Sequence, residues 1–101
     1  MTGQRTTYLL NITKNHGRSL EETWIWLENN LEKQINKRVP FENISYSIFK
    51  ERGVVDFQGR TVYGTMSISE GLIKISINLP LLYRFFSPHI KSAILSVLKE
   101  L

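Results

Sequence analysis

The chain has no cysteine, which excludes disulfides, thiolate metal sites and cysteine nucleophiles. It has only two histidines, His16 and His89, and a single aspartate, Asp56. Neither histidine has a second one at metal-ligand spacing, and no carboxylate cluster accompanies them, so no metal site is assigned. His16 is expected to finish a turn. No Ser/His/Asp set, paired-carboxylate pattern or glycine-rich phosphate loop is present, because the six glycines are scattered rather than grouped. No catalytic residue and no cofactor is therefore assigned, and an enzyme is not expected. No run approaches the ~18 apolar residues of a transmembrane segment. The polar residues 1–5 lead into no signal-type apolar stretch, so the expected address is cytoplasmic.

What is present suits one globular domain. Hydrophobic residues make up 42% and charged residues 22% of 101 residues, far from the composition of a disordered chain. A single domain over 1–101 is expected, with residues 1–5 flexible. The net charge of +4 comes from thirteen lysines and arginines spread from Arg5 to Lys99. The tightest group, Lys33, Lys37 and Arg38, falls at the end of an expected helix. Cations there complement the helix dipole, and a phosphate site is the alternative.

Tyr8, Leu10 and Ile12 alternate with Thr7, Asn11 and Thr13, a pattern broken only by Leu9, and read as a half-buried strand. After the turn signal Asn15-His16-Gly17, Ser19 and Glu22 form a capping box. Leu20, Trp24, Leu27, Leu31 and Ile35 then mark one face of a helix running to about Arg38, with Pro40 as its stop. From Ile44 to Leu79 the apolar period becomes two. Two-residue turns at Glu51-Arg52, Gly59-Arg60 and Glu70-Gly71 would set Ile48 opposite Val55, Phe57 opposite Val62 and Ile68 opposite Ile73. A bulge near Gly53 is the alternative to the first turn.

Ser87 reads as an N-cap and Pro88 as a first helical residue. Ile90, Ala93, Ile94, Val97, Leu98 and Leu101 form the stripe of a last helix. The order β-α-ββββ-α predicts an α+β two-layer sandwich, an antiparallel meander covered on one face by two helices. In outline this is a shortened helix-grip-like arrangement, by analogy of fold only.

Three features stand out as candidate binding surface. Gly64 falls mid-strand on the apolar face, where glycine makes room either for a large side chain such as Trp24 or for a small apolar pocket. Trp26 is rotated about 200° from Trp24 and has Glu22, Asn29, Asn30 and Lys33 as helical neighbours. It is either an exposed aromatic contact or a ring lying flat over those side-chain stems. The string Leu81-Leu82-Tyr83-Arg84-Phe85-Phe86 holds more apolar bulk than two helices and one sheet readily cover. Leu82, Tyr83, Phe85 and Phe86 either plug the open end of the sandwich or form an apolar patch for a partner.

The strings Val55-Asp56-Phe57, Val62-Tyr63-Gly64-Thr65-Met66-Ser67-Ile68 and Leu79-Pro80-Leu81-Leu82, with the amphipathic residues 90–98, resemble the polyhydroxyalkanoic acid system protein family. The likeness runs over residues 7–101. It implies a small bacterial, cytoplasmic protein encoded near polyester-granule genes and touching a granule surface or a granule-associated protein. The family carries over no catalytic residue. The expected function is thus a non-catalytic module that binds a hydrophobic polymer surface or partner protein through Trp26, Leu82, Tyr83, Phe85 and Phe86. The same patch meeting its own copy would give a homodimer. A basic RNA- or nucleic-acid-binding domain is the alternative, although the last helix begins with only His89 and Lys91 to grip phosphate.

Overall fold

Helix α1, Leu20–Arg38, starts where the sequence caps it. The Glu22 amide donates to Ser19 Oγ at 3.2 Å, and the Ser19 amide donates to Glu22 Oε1 at 3.1 Å. Two otherwise unpaired donors are thereby satisfied. The Ser19 amide, with the Ser19 hydroxyl beside it, holds the Glu22 carboxyl below its ordinary range. Ser19→Ala is expected to cost about 1 kcal/mol of stability in urea unfolding, the usual worth of such a cap.

The computed structural model describes residues 7–38 and 42–99. The expectations for residues 1–5, Pro40 and Leu101 fall outside that range. Five strands follow the chain as β1 (Thr7–Asn15), β2 (Ser45–Phe49), β3 (Val54–Gln58), β4 (Tyr63–Ser69) and β5 (Leu72–Pro80). They form one antiparallel sheet in the order β1-β5-β4-β3-β2. Strands β1 and β2 are consecutive in sequence yet lie at opposite edges, so α1 carries the chain from one edge to the other. Helix α2, Ser87–Leu98, packs against β1 and α1. The fold is the expected β-α-ββββ-α sandwich.

Strand alternation places Leu10, Ile12, Val55, Met66, Ile73 and Ile75 in the core. Trp24, Leu27 and Leu31 of α1 and Leu98 of α2 join the same cluster. The opposite face carries polar groups such as Asp56, which accepts a hydrogen bond from Thr65 Oγ1 at 3.0 Å across the β3–β4 pair. Two registers are as the sequence predicts: Ile48 pairs with Val55, and Ile68 with Ile73. The β2–β3 connection is not the expected two-residue turn at Glu51-Arg52 but the four residues 50–53, a 3-10 turn, Lys50–Arg52, closed by Gly53 at φ 68°, and the register is unchanged.

The third register differs. Phe57 pairs with Gly64, not Val62, because residues 59–62 make a four-residue loop in place of a two-residue turn. A shift of two keeps every side chain on its expected face. The cause is Glu42, which enters the loop from the far side of the β2–β3 hairpin. Its backbone oxygen accepts from the Arg60 amide at 3.0 Å, and its carboxylate from the Thr61 amide at 2.9 Å and hydroxyl at 2.6 Å. Gly59 is needed to admit this carboxylate, since a Cβ there would meet Glu42 Oε1 at 2.7 Å.

Ser87 is not an N-cap. It is the first residue of α2 and follows without a break on a 3-10 segment, Leu81–Phe86. Its amide already bonds to the Arg84 carbonyl, so no capping side chain is required.

Candidate functional site

The 3-10 segment Leu81–Phe86 decides which residues of the apolar string face outward. With three residues per turn, side chains three apart eclipse, so Leu82 and Phe85 share one ridge. They are 79% and 74% exposed, and Phe86 beside them is 59% exposed. Leu81 is exposed as well, and the Arg84 guanidinium lies 5.4 Å from the centre of the Phe85 ring. Tyr83 turns the other way. It packs against the core cluster, and its hydroxyl approaches Glu42 Oε2 at 3.4 Å. Tyr83 therefore anchors the segment from within, while Leu82, Phe85 and Phe86 form the outer patch.

Glu42 is the residue that sequence reasoning missed. An acid between Phe41 and Asn43 carries no local signal, yet it is only 4% exposed. Asn36 of α1 holds the neighbouring backbone in place, accepting from the Ile44 amide at 2.8 Å and donating to the Ile44 carbonyl at 3.0 Å. Burial alone would raise the Glu42 carboxyl. The Thr61 hydroxyl and amide, the Val62 amide and the Tyr83 hydroxyl together outweigh it and hold the group below the ordinary carboxylate range.

A lowered folded value means that ionised Glu42 adds stability above the unfolded carboxylate range and loses it as pH falls through the folded value. Glu42→Gln is expected to cost about 2 kcal/mol at pH 7, and that difference should shrink as pH falls below the ordinary carboxylate range. Urea unfolding of both proteins across this range measures it. A pH-independent difference would contradict the assignment.

Between the helices and the sheet lies an apolar cavity of ≈ 110 Å³. Phe57, Met66, Ile75 and Ile77 form its floor, with Leu31 and Leu98 at its sides. Interiors are normally close-packed, and a void of this size forgoes about 2–3 kcal/mol of packing. Gly64 lies next to this floor without opening the cavity itself. The space above it is taken by the Phe57 ring, whose Cζ would stand 2.7 Å from an added Cβ. A large side chain does cover the glycine, but it is Phe57 and not Trp24.

Trp26 is half-buried and packs against the core cluster, so of the two alternatives its position leaves open, the freely exposed ring is not the one adopted. Trp24 lies at one edge of the buried stripe, whereas Leu27 is near its centre and only about 100° from Trp26. Ile25, 52% exposed, faces outward instead. The structure does not bring Trp26 together with the Leu82–Phe85 ridge in any contact described. His16 finishes its turn as expected, with Nδ1 accepting from the Arg18 amide at 3.2 Å and its own amide donating to the Gly71 carbonyl.

Among the described residues, no group of three or more histidines, aspartates or glutamates could hold a metal ion, and no helix is long and apolar enough to cross a membrane. A family profile described as "Putative polyhydroxyalkanoic acid system protein" matches residues 10–101. Neither the curated proteins nor the solved structures contain a match to the chain.

Proposed function

The chain belongs to the polyhydroxyalkanoic acid system protein family, and from that premise we propose that it is a cytoplasmic, non-catalytic module that attaches to polyhydroxyalkanoate granules through Leu82, Phe85 and Phe86. The observation that carries this reading is the exposure of those three large side chains, at 79%, 74% and 59%, on one short segment. Single exposed apolar residues are ordinary, but a cluster of them marks an interaction surface. A polyester particle offers an extended apolar face that such a ridge can enter without a shaped pocket. Tyr83 takes part as the internal anchor that sets the ridge at the surface.

The non-catalytic part of the reading rests on the chemistry of Glu42, the one buried carboxylate described. Its oxygens are engaged by Thr61 and Tyr83 as fasteners of a loop, which supports a structural role for it.

Protein mixed with polyhydroxyalkanoate particles stripped of protein, in excess serum albumin, is expected to co-sediment with them. Co-sedimentation only with native, protein-bearing granules would make the partner a granule protein. Protein left in the supernatant in both cases would overturn the proposal.

A further inference from the structure

We propose that the cavity between the two helices and the sheet is a binding site for one aliphatic chain of about four to six carbons. The site is separate from the outer patch and does not depend on its role. Its walls are mostly side chains of leucine, isoleucine, valine and methionine, with the rings of Tyr46 and Phe57 on the sheet side. Engineered apolar cavities of about 150 Å³ stay dry and take up benzene, so a void of ≈ 110 Å³ matches a short alkyl segment. Water is a poor occupant, because it needs two to four polar partners.

Polar ligands are disfavoured by what stands at the margin. Glu42 and Tyr83 both border the cavity, but the Glu42 oxygens already receive the Thr61 amide, the Thr61 hydroxyl and the Tyr83 hydroxyl. The carboxylate thus has little left to offer a ligand donor, and it repels an anion. The ligand that fits brings only hydrocarbon inside and leaves its polar end in water.

Entry is provided at the rim. The floor and side residues are buried, whereas Ile35 of α1 and Ile90, Ala93 and Ile94 of α2 are half-exposed. The cavity therefore reaches the surface between the helices instead of being sealed. Ala93 is the smallest side chain on its wall, and a leucine there would occupy the void from the α2 side.

The test is a titration of the full chain with 1-hexanol, followed by the methyl resonances of Met66, Ile75 and Ile77. Saturable shifts are expected at these three and not at Ile25, which faces outward from α1 and does not line the cavity. 1,6-Hexanediol, with the same chain length and two polar ends, is expected to bind about ten-fold more weakly, since one hydroxyl would be buried unpaired. Ala93→Leu should abolish the shifts while retaining co-sedimentation with polymer particles, and Val62→Leu serves as the filling variant from the opposite wall should Ala93→Leu fail to fold. Serine at Leu82, Phe85 and Phe86 should leave hexanol uptake unchanged. Absent shifts, equal affinity for the two alcohols, or shifts that persist in a folded filling variant would overturn the proposal without touching the granule reading.

Discussion

Replacing Leu82, Phe85 and Phe86 together by serine is expected to abolish binding to polyhydroxyalkanoate particles and to leave the melting temperature nearly unchanged. Burying a leucine or phenylalanine side chain gains about 1.5–3 kcal/mol relative to leaving it in water. The exposed parts of these three side chains then contribute roughly 4–6 kcal/mol on an apolar surface, on the order of a thousand-fold or more in affinity. Stability should hold, because none of the three is buried in the free protein and surface changes usually stay within about 0.5 kcal/mol each. The contact between Arg84 and the Phe85 ring is itself exposed and adds little. Tyr83→Ser is the contrasting variant. It removes a ring packed on the core cluster and a partner of Glu42, and should lower stability by about 2–4 kcal/mol. Loss of binding in the triple variant with a collapsed melting transition would mean that the ridge is part of the core after all.

Gly64→Ala is expected to be among the most damaging single-methyl changes in the chain, costing about 3 kcal/mol or more. An added Cβ would clash with the Ser76 carbonyl oxygen of β5, and would stand 2.7 Å from Phe57 Cζ and 3.0 Å from Ile77 Cα. Two of these three atoms are backbone atoms of a paired central strand, so neither can swing away as a flexible side-chain tip would. The Phe57 ring would also have to leave its place over the strand and push into the cavity beside it. Equilibrium unfolding measures the loss. A cost below about 1 kcal/mol would show that the sheet yields at this point more readily than its close packing implies.

Local chemistry made much of this fold legible. The capping box at Ser19 and Glu22 marks the start of α1 without outside help, and the alternation in β3, β4 and β5 sets which face is buried. At Glu51-Arg52 the register is the expected one, but the turn is the four residues 50–53. The Glu70-Gly71 turn could be placed by register alone, since a one-residue slip would set apolar side chains opposite lysine and asparagine. The β3–β4 loop could not. Its length depends on Glu42, which arrives from 17 to 20 residues away and occupies the space that Gly59 leaves open.

The candidate site was legible in composition and illegible in direction. The bulk of the string from Leu81 to Phe86 flags a surface, but only the 3-10 geometry separates Tyr83, turned inward, from Leu82 and Phe85, turned outward. The sequence leaves Trp26 undecided. Its angle from Trp24, an edge residue of the buried stripe, leaves an exposed ring and a covered one equally open, and the ring is half-buried against the core. Ser87 has the composition of a cap and no vacancy to fill, because the preceding 3-10 turn already supplies its acceptor.

The central claim is that Leu82, Phe85 and Phe86 are the surface that meets the granule, and hydroxyl-radical footprinting of the protein with and without polyhydroxyalkanoate particles tests it most directly. The account predicts that these three side chains are exposed in the free protein and protected on the particle, while Leu9 and Tyr63, exposed on the opposite sheet face, remain equally reactive. Protection of Leu9 and Tyr63 instead, or no protection at the Leu82–Phe85 ridge while the protein is bound, would contradict it.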